Sequence, residues 1–275
     1  MTQNPDPAQN QNHVRVLNSV LASVEKKALL WLAARMPAWV VPDTLTAIGL
    51  FASVLIFLGY ALTIYDKGFL WLASFGFVLN WFGDSLDGTL ARYRKIERPR
   101  YGFFVDHIID TVDEVLIFIG IGISPYVQFE LALFALITYM MVSIFVYLAT
   151  YVNGVFRISY GGIGPTETRV LAILANTIVF FTDNPSYRLW NFNLTFYDMI
   201  TVVITIVGIL IFTINSISMA SSLSREDRAA RREKLLQERA ARKQERLLKR
   251  QERSAAAARR QSQRSLSNRR KTIEQ

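Results

Sequence analysis

Four aspartates with helical spacing stand out in an otherwise apolar part of the chain, within DSLDGTLARYRKIERPRYGFFVDHIID, residues 84–110. Asp84 and Asp87 are three residues apart and Asp106 and Asp110 are four apart, so each pair shares one face of a helix. Carboxylates that lie close together repel one another unless cations sit between them. Hard ions such as Mg²⁺ or Mn²⁺ take oxygen ligands and are usually completed by substrate phosphates. The pattern therefore predicts a site where a pair of metal ions could clamp a displacement at phosphorus.

Small residues and an arginine between the two acid pairs suit a phosphate ester. Gly88 directly follows Asp87 and leaves the backbone open to a ligand, and Ala91 keeps the next turn small. Arg92 offers a planar donor fork for a pyrophosphate, and Gly102 could open the opposite helix as Gly88 does. The alternative is close helix packing, which membrane helices also achieve through Gly and Ala. Their occurrence beside four acids favours the ligand site.

The composition excludes several other kinds of chemistry. The 275 residues include no cysteine and only two histidines, which excludes disulfides, zinc-thiolate sites and histidine-rich metal sites. Hydrophobic residues make up 51% of the chain. The net charge of +9 is misleading, because residues 222–275 hold 18 Lys/Arg against 7 Asp/Glu, and the remainder holds 13 against 15. The chain is thus a nearly neutral apolar body with a basic tail.

Six apolar segments have about the length that a helix needs to cross a bilayer. They lie approximately at residues 44–64, 69–90, 103–124, 130–153, 168–183 and 196–218. None follows the plan of a cleaved signal peptide, so all six are expected to be retained. The sequence predicts an all-α, polytopic membrane protein with about six transmembrane helices.

The distribution of positive charge predicts the orientation. The links after the second and fourth segments and the tail are basic, whereas the other links carry only Lys67 and Arg188. With six segments, every basic stretch falls on the cytoplasmic side. We therefore expect both termini and the active site to be cytoplasmic, at the plasma membrane if the source is bacterial. The acids should then lie where the second segment ends and the third begins.

The two ends of the chain differ from the membrane body, residues 14–218. Residues 1–13, rich in Asn, Gln and Pro, are expected to be disordered. The tail, residues 219–275, is expected to be helical or disordered and attracted to anionic lipid, with no specific nucleic acid as a partner. The body begins with apolar residues at three- and four-residue spacing: Val14, Leu17, Val20, Leu21 and Val24. They predict an amphipathic helix at the membrane interface, although a soluble helix packed on the body gives the same pattern.

The spaced residues together resemble the signature of the CDP-alcohol phosphotransferase (CDP-alcohol phosphatidyltransferase) family. The run reads Asp84-x₂-Asp87-Gly88-x₂-Ala91-Arg92-x₉-Gly102-x₃-Asp106-x₃-Asp110, and all eight fixed positions match. The six segments and the helix before them also resemble the family, so the likeness covers roughly residues 14–218 and not the tail.

The resemblance implies an enzyme of phospholipid biosynthesis that transfers a phosphate-linked alcohol from a CDP-alcohol to an acceptor hydroxyl and releases CMP. Asp84, Asp87 and Asp106 would hold two divalent cations, Mg²⁺ or Mn²⁺. Asp110 would complete the second metal site and act as the general base. The implied partners are a CDP-alcohol donor, an alcohol or lipid acceptor, membrane lipid and a second copy in a homodimer.

Further residues are expected to line or border the pocket. By the resemblance, Gly88, Ala91, Arg92 and Gly102 would line the part that binds CDP. In the Gly-rich loop YGGIGPTETR, residues 160–169, we expect Thr166, Glu167 and Arg169 on the acceptor side, although Thr166 and Glu167 also suit an ordinary helix start.

Three polar positions have less direct roles. The stretch PDTLT, residues 42–46, is expected to border the pocket. It resembles a family segment but has Asp43 in place of Asn, and the alternative is helix capping by Asp43 or Thr44. Asp113 and Glu114 could extend the acidic site, but we expect them to be interhelical polar partners.

Alternative functions remain open at this stage. CDP-diacylglycerol is the preferred donor, and the alternative is a CDP-linked headgroup that is transferred to diacylglycerol. A membrane prenyltransferase also uses aspartates and magnesium to bind a pyrophosphate, but it does not explain the Gly, Ala and Arg positions. An ion-coupled carrier would explain acids in the membrane, but no broken-helix repeat is visible in the sequence.

Overall fold

A computed structural model describes residues 14–16, 21–153, 155–157, 164–189 and 192–273. The fold is all-α, as the sequence predicts. The helices are α1 (Ala22–Arg35), α2 (Pro42–Leu62), α3 (Phe69–Arg94), α4 (Pro99–Ile123), α5 (Phe129–Asn153), α6 (Pro165–Thr182) and α7 (Phe196–Ile273).

Four short strands accompany the helices. Strands β1 (Val14–Val16) and β2 (Val155–Arg157) pair in parallel, and β3 (Ser186–Leu189) pairs with β4 (Phe192–Thr195) as an antiparallel hairpin. The chain divides into two compact units, Met1–Ser216 and Ile217–Gln275.

Each of the six predicted apolar segments corresponds to one of the helices α2 to α7, and three of them extend one or two residues past the end of the helix. Among the described residues, three helices are long and apolar enough to cross a membrane by length and hydropathy: α2, α5 and α7. Helices α3, α4 and α6 carry most of the acids and arginines of the candidate site, which lowers their hydropathy. The structure therefore supports an integral membrane protein with more than one membrane-crossing helix.

Helix α2 has small residues on its buried face, together with Leu45, Ile56 and Tyr60, and it exposes other large apolar residues. Gly49, Ala52 and Ser53 are buried, whereas Phe51 is 57% exposed. A surface helix of a water-soluble protein exposes polar residues instead. Small inward residues let membrane helices approach closely, and large outward ones suit contact with lipid. Helix α2 thus has the pattern of a helix that is surrounded by lipid on one side and by protein on the other.

Glycines hold α3 closely against α2. A Cβ built on Gly83 would lie 2.5 Å from the backbone N of Gly49 and 2.6 Å from the carbonyl O of Leu45. A Cβ on Gly59 would lie 2.5 Å from the backbone N of Ala73. Because these obstacles are backbone atoms, a larger residue would force the two helices apart. The two contacts fix α3 along much of its length, including the turn that begins with Asp84.

The N-terminal helix differs from the prediction. Helix α1 begins at Ala22 and buries Leu29 and Ala33, whereas Val24, on the predicted apolar face, is 66% exposed. Val14 lies in β1 rather than in a helix, and Leu17 and Val20 lie outside the described residues. The prediction of a helix that begins at residue 14 was therefore wrong, because Val14 pairs in a strand. A position of α1 at the membrane interface stays a prediction, since an exposed apolar residue there would face lipid.

A buried polar cluster ties four helices together at the end of the bundle away from the aspartates. The hydroxyls of Tyr60 and Tyr197 donate to Asn176 Oδ1 over 2.9 and 2.8 Å, and Asn176 Nδ2 donates to Ser74 Oγ over 3.1 Å. All four residues are buried. Because buried polar groups need partners, this cluster fixes how α2, α3, α6 and α7 meet.

We expect Asn176→Ala to lower the free energy of unfolding by about 1–3 kcal/mol, since it removes the shared partner of three buried side chains. Thermal unfolding in detergent, followed by tryptophan fluorescence, measures the change. Thr182→Ala, at an exposed position at the end of α6, serves as the control. Equal stability of the two variants would contradict a structural role for the cluster.

The second unit, residues 217–275, consists of the last part of α7 where it is described. The tail was predicted to be helical or disordered, and it is helical to Ile273. Its described side chains from Arg225 to Arg246 are exposed.

Candidate active site

The space between α3 and α4 forms the candidate site. Both helices pack against α2, and a Cβ built on Gly120 of α4 would lie 2.8 Å from the Cα of Phe57. Helices α3 and α4 make little direct backbone contact. A side-chain hydrogen bond joins them instead, because Asn80 Nδ2 donates to Asp113 Oδ2 over 2.9 Å. The site is therefore a cleft between two helices, closed at its inner end by Asn80 and Asp113.

The two aspartate pairs face each other across this cleft. Asp87 of α3 interacts electrostatically with Asp106 of α4 and with Asp84. Asp110 of α4 interacts with Asp84 and Asp106. Asp87 is the most buried of the four, with 9% of its surface exposed. The fold therefore brings the four carboxyl groups close enough for their charges to interact.

The acids lie deeper within their helices than expected. Helix α3 continues to Arg94, and α4 already begins at Pro99. The predicted basic loop between the segments is thus reduced to residues 95–98, with Lys95 in the left-handed conformation at the end of α3. Arg94 folds back and donates to the carbonyls of Met36 and Pro37 over 2.9 Å each. Part of the basic stretch therefore holds the turn before α2 in place.

Arg169 of α6 reaches into the cleft and pairs with the acids. Its Nη2 lies 2.5 Å from Asp84 Oδ2, and its Nε donates to Asn80 Oδ1 over 2.8 Å. It also interacts electrostatically with Asp110. Its Nη1 is buried without a hydrogen-bond partner among the described residues. The charge of Arg169 offsets only part of the charge of the four acids, and its Nη1 is a donor that can bind a further oxygen.

Thr46 at the start of α2 holds Asp87. Its Oγ1 donates to Asp87 Oδ2 over 2.6 Å. Thr46 belongs to PDTLT, the stretch expected to border the pocket. Asp43 of the same stretch forms an exposed ion pair with Arg98, and the residue before α2, Val41, makes no side-chain cap. The contact with the site therefore comes from Thr46 rather than from capping residues.

The predicted CDP-lining residues follow the acids toward the open end of the cleft. The guanidinium of Arg92 lies over Gly88, since a Cβ built there would lie 3.3 Å from Arg92 Nη1. Arg92 Nη2 also donates to Thr89 Oγ1 over 3.3 Å. Ala91 lies one turn beyond Asp87 on α3 and is partly exposed. The absent side chain of Gly88 thus makes room for a guanidinium next to the acids.

Gly102 lies one turn before Asp106 on α4. A Cβ built on it would meet no atom within 4 Å, so helix packing does not explain this glycine. We expect Gly102→Ala to leave the thermal unfolding temperature unchanged and to raise the KM for a CDP-linked donor by roughly tenfold, as for a methyl group that narrows a pocket. An unchanged KM would contradict the predicted role of Gly102 in the CDP pocket.

Thr166 and Glu167 contact helix α1 rather than the acids. Thr166 Oγ1 donates to Glu25 Oε1 over 2.7 Å, and Trp81 Nε1 donates to the same oxygen over 3.0 Å. Glu167 accepts from the backbone N of Leu21 over 2.8 Å and closes the capping box of α6. These contacts position the helix that carries Arg169. An acceptor-side role for Thr166, Glu167 and Arg169 stays a prediction.

Asp113 and Glu114 join helices, as the sequence predicts. Glu114 Oε1 accepts from Ser143 Oγ of α5 over 2.9 Å, while Asp113 accepts from Asn80. His107 packs beside Tyr147, with ring centroids 4.6 Å apart. The two acids thus support the inner end of the cleft.

Asn80 was not singled out from the sequence, although it contacts both Asp113 and Arg169. It also donates to Gly49 O over 3.1 Å and to Ser53 Oγ over 3.0 Å. One signal was available, since Asn80 precedes Asp84 by four residues and is a polar side chain on the same helix face.

The residues of the cleft suit divalent cations by their chemistry. Within the described ranges, no three acidic or histidine side chains already surround one point closely enough to hold a metal. Asp84 forms an ion pair with Arg169, and Asp87 accepts a hydrogen bond from Thr46. Even so, four carboxyl groups with two arginines nearby, Arg169 and Arg92, keep an excess of negative charge and a hard set of oxygen donors, which is what Mg²⁺ and Mn²⁺ bind.

The cleft lies in the part of the chain that is similar to known proteins. The sequence profile of the CDP-alcohol phosphatidyltransferase family matches residues 39–214, more than half of the chain. Cholinephosphotransferase 1 of Danio rerio is 30% identical over 162 residues, which are 55% of this chain and 41% of that protein. Phosphatidylinositol phosphate synthase of Cutibacterium acnes is 36% identical over 91 residues, 33% of this chain and 41% of that protein.

A solved structure also aligns with the chain. It is the phosphatidylinositol phosphate synthase of Mycobacterium tuberculosis with CDP-DAG bound, at 20% identity and a TM-score of 0.44, covering 70% of this chain and 90% of the other. The chain spans less than half of the length of the curated relatives that it matches.

Proposed function

The chain belongs to the CDP-alcohol phosphatidyltransferase family, and from that premise we propose that it transfers a phosphate-linked alcohol from a CDP-alcohol to an acceptor hydroxyl. The acceptor oxygen forms a bond to the β-phosphorus of the donor, and the bond from that phosphorus to the oxygen of CMP breaks. The observation that carries the proposal is the cleft in which the aspartates of α3 and α4 face each other. It lies wholly within the matched residues.

The acidic residues of the cleft have two proposed roles, metal binding and proton transfer. Asp84, Asp87 and Asp106 would hold two Mg²⁺ or Mn²⁺ ions, with Asp110 completing the second site. When bound, such ions would neutralise the charge of the donor pyrophosphate, of the attacking acceptor oxygen and of the leaving CMP oxygen. Asp110 accepts the proton of the acceptor hydroxyl as general base.

Other residues of the cleft position the reacting groups. Thr46 and Arg169 hold Asp87 and Asp84 in place through the contacts described above. Gly88, Ala91, Arg92 and Gly102 line the path from the acids to the open end, where the cytidine is bound. The closed inner end at Asn80 and Asp113 limits how deeply the donor enters.

Two donor classes have support. Similarity to phosphatidylinositol phosphate synthase and the compact body of residues 14–218 favour CDP-diacylglycerol. Similarity to the cholinephosphotransferases covers a larger share of the chain and favours a CDP-linked headgroup transferred to diacylglycerol. We propose CDP-diacylglycerol as the first donor to test and the CDP-linked headgroup as the second.

The membrane arrangement completes the proposal. Helices α2 to α7 cross the membrane six times, the active site and both termini are cytoplasmic, and two copies form a homodimer. The even count is supported by the basic links, which all fall on one side. Residues 14–218 form the transferase domain, with 1–13 and 219–275 as appendages.

CMP release by the purified full chain tests the proposal. The assay pairs CDP-diacylglycerol with glycerol phosphate, serine and inositol compounds, and pairs CDP-choline with diacylglycerol, each with Mg²⁺, Mn²⁺ or a chelator. We expect metal-dependent CMP release with one donor class. Release of pyrophosphate from a prenyl donor, or no nucleotide-dependent reaction in any pairing, would contradict it.

Replacement of Arg169 should make the stability of the protein depend on the presence of metal. Arg169→Gln leaves the partly buried Asp84 without its cation, so we expect a loss of about 2 kcal/mol in chelator. Added Mn²⁺ should recover most of the loss, because it supplies the missing positive charge. Lys67→Gln breaks an exposed pair with Asp183 and should leave the stability nearly unchanged with or without metal. The same loss for Arg169→Gln in both buffers would contradict a metal site at Asp84.

A further inference from the structure

Basic residues of the second unit are segregated around the axis of α7. A helix advances about 100° per residue, so the direction of each position follows from its number. Between Arg225 and Arg260, all Lys and Arg except Lys234 and Arg259 fall within one sector of about 120°. We name this sector the basic face. Its most regular members recur every seven residues: Arg225, Arg232, Arg239, Arg246, Arg253 and Arg260.

Acidic residues of the same stretch all lie outside the basic face. They are Glu226, Asp227, Glu233, Glu238, Glu245 and Glu252. Glu245 pairs with Lys249, at the edge of the face, over 2.5 Å. A helix that is merely soluble has opposite charges interspersed around its surface. Segregation means that most of the positive charges have no acid on the same side. Between Arg225 and Arg246, where the side chains are described, the face therefore presents a positive field along about 30 Å.

The basic face is also uncovered within its unit. Every described side chain from Arg225 to Arg246 is exposed. The face therefore has the charge, length and accessibility of a docking surface for an extended anionic partner.

We propose that the basic face binds the anionic surface of a lipid bilayer. The tail follows directly in sequence on the apolar segment of residues 196–218, which tethers it beside a membrane. Basic residues near an anionic membrane surface each favour binding by about fivefold. Residues 222–275 contain no Phe, Tyr or Trp, so the tail lacks the stacking platform of most single-strand binders of nucleic acid. Charge complementarity and tethering together favour lipid.

Two consequences follow for the binding. It is electrostatic, because Leu235 is the only large apolar residue in the sector between Arg225 and Arg260. It therefore weakens with salt as the screening length shrinks below about 10 Å. It also depends on which residues carry the charge, and not only on the net charge of the tail. The inference is independent of the proposed transferase reaction.

A fluorescence measurement on the full chain tests this docking. Because the protein has no cysteine, a single Ala241→Cys substitution off the basic face gives one labelled site. Energy transfer from this label to a headgroup-labelled lipid is compared in nanodiscs of phosphatidylcholine alone and with about 30% phosphatidylglycerol. We expect higher transfer in the anionic discs and its loss between about 0.05 and 0.5 M salt.

Two double variants give a matched comparison, since each removes two positive charges. Arg239→Gln with Arg246→Gln changes the basic face, and Lys234→Gln with Arg259→Gln changes the opposite side. We expect the change on the basic face to lower the ratio of membrane-bound to free tail by about 25-fold, and the change on the opposite side to lower it far less. Equal transfer in both kinds of disc, or equal effects of the two double variants, would overturn the proposal. Displacement of the tail from anionic discs by an RNA oligonucleotide at lower concentration than the lipid would assign the face to nucleic acid instead.

Discussion

Asp110→Asn should reduce CMP release by at least about 10³-fold while leaving the protein folded. The substitution keeps the shape of the side chain but removes both its basicity and its negative charge. In the cleft, Asp110 interacts with Asp84 on the other helix and with Asp106 on its own helix. The proposed function assigns to it both the proton of the acceptor hydroxyl and a place in the oxygen donor set. Initial rates of CMP release at saturating donor measure the effect.

The matched control is Asp183→Asn, which removes a carboxylate of the same kind at an exposed position at the end of α6. It should retain activity within about twofold, since its partner Lys67 is also exposed. If Asp110→Asn stayed within tenfold of the unchanged protein, Asp110 would not be the general base. The cleft would then need another proton acceptor.

Gly83→Ala should have the second large effect, through the position of the acids. Its Cβ would lie 2.5 Å from the backbone N of Gly49 and 2.6 Å from Leu45 O, so α3 must move away from α2. The displaced turn carries Asp84. Because a shift of about 1 Å at a reacting group can cost about 100-fold in rate, we expect activity to fall by about that factor. Overpacking should also lower the unfolding free energy by about 1–3 kcal/mol.

Gly102→Ala is the control for stability, because its Cβ meets no atom within 4 Å. Thermal unfolding and CMP release are measured on both variants. Normal stability and normal rates for Gly83→Ala would show that the close contact between α2 and α3 does not position the acids.

The helices α2 to α7 could be predicted because long apolar runs separated by polar links leave little choice of structure. The start of α1 could not be predicted in the same way. Val14 and Val24 fit an apolar stripe, but the structure buries Leu29 and Ala33 instead. Which apolar residues become buried depends on the surfaces of α2 and α3, and no local pattern contains that information. The length of α3 was also underestimated, since Arg92 and Arg94 are charged yet helical.

The candidate site was predictable to the extent that its residues are spaced along single helices. Three- and four-residue spacing predicted that Asp84 and Asp87 share one helix face and that Asp106 and Asp110 share another. The contacts of Arg169 could not be predicted, because it comes from α6, 85 residues beyond Asp84 in sequence.

The predicted pocket has a form that the sequence could not give, because contacts between distant segments determine it. The cleft exists because α2 separates α3 from α4, and that arrangement depends on the glycine contacts of both helices with α2. Asn80 and Thr46 form contacts between these helices, so their roles could not be predicted without knowing how α2, α3 and α4 are arranged.

Equilibrium binding of Mn²⁺ to the purified full chain, followed by electron paramagnetic resonance, tests the central claim most directly. With a CDP-linked donor present, the account predicts about two Mn²⁺ per chain. Asp87→Asn and Asp106→Asn, on opposite walls of the cleft, should each lose binding, whereas Asp183→Asn should retain it. Binding that is the same in all four proteins would contradict a metal site formed by the aspartates of α3 and α4.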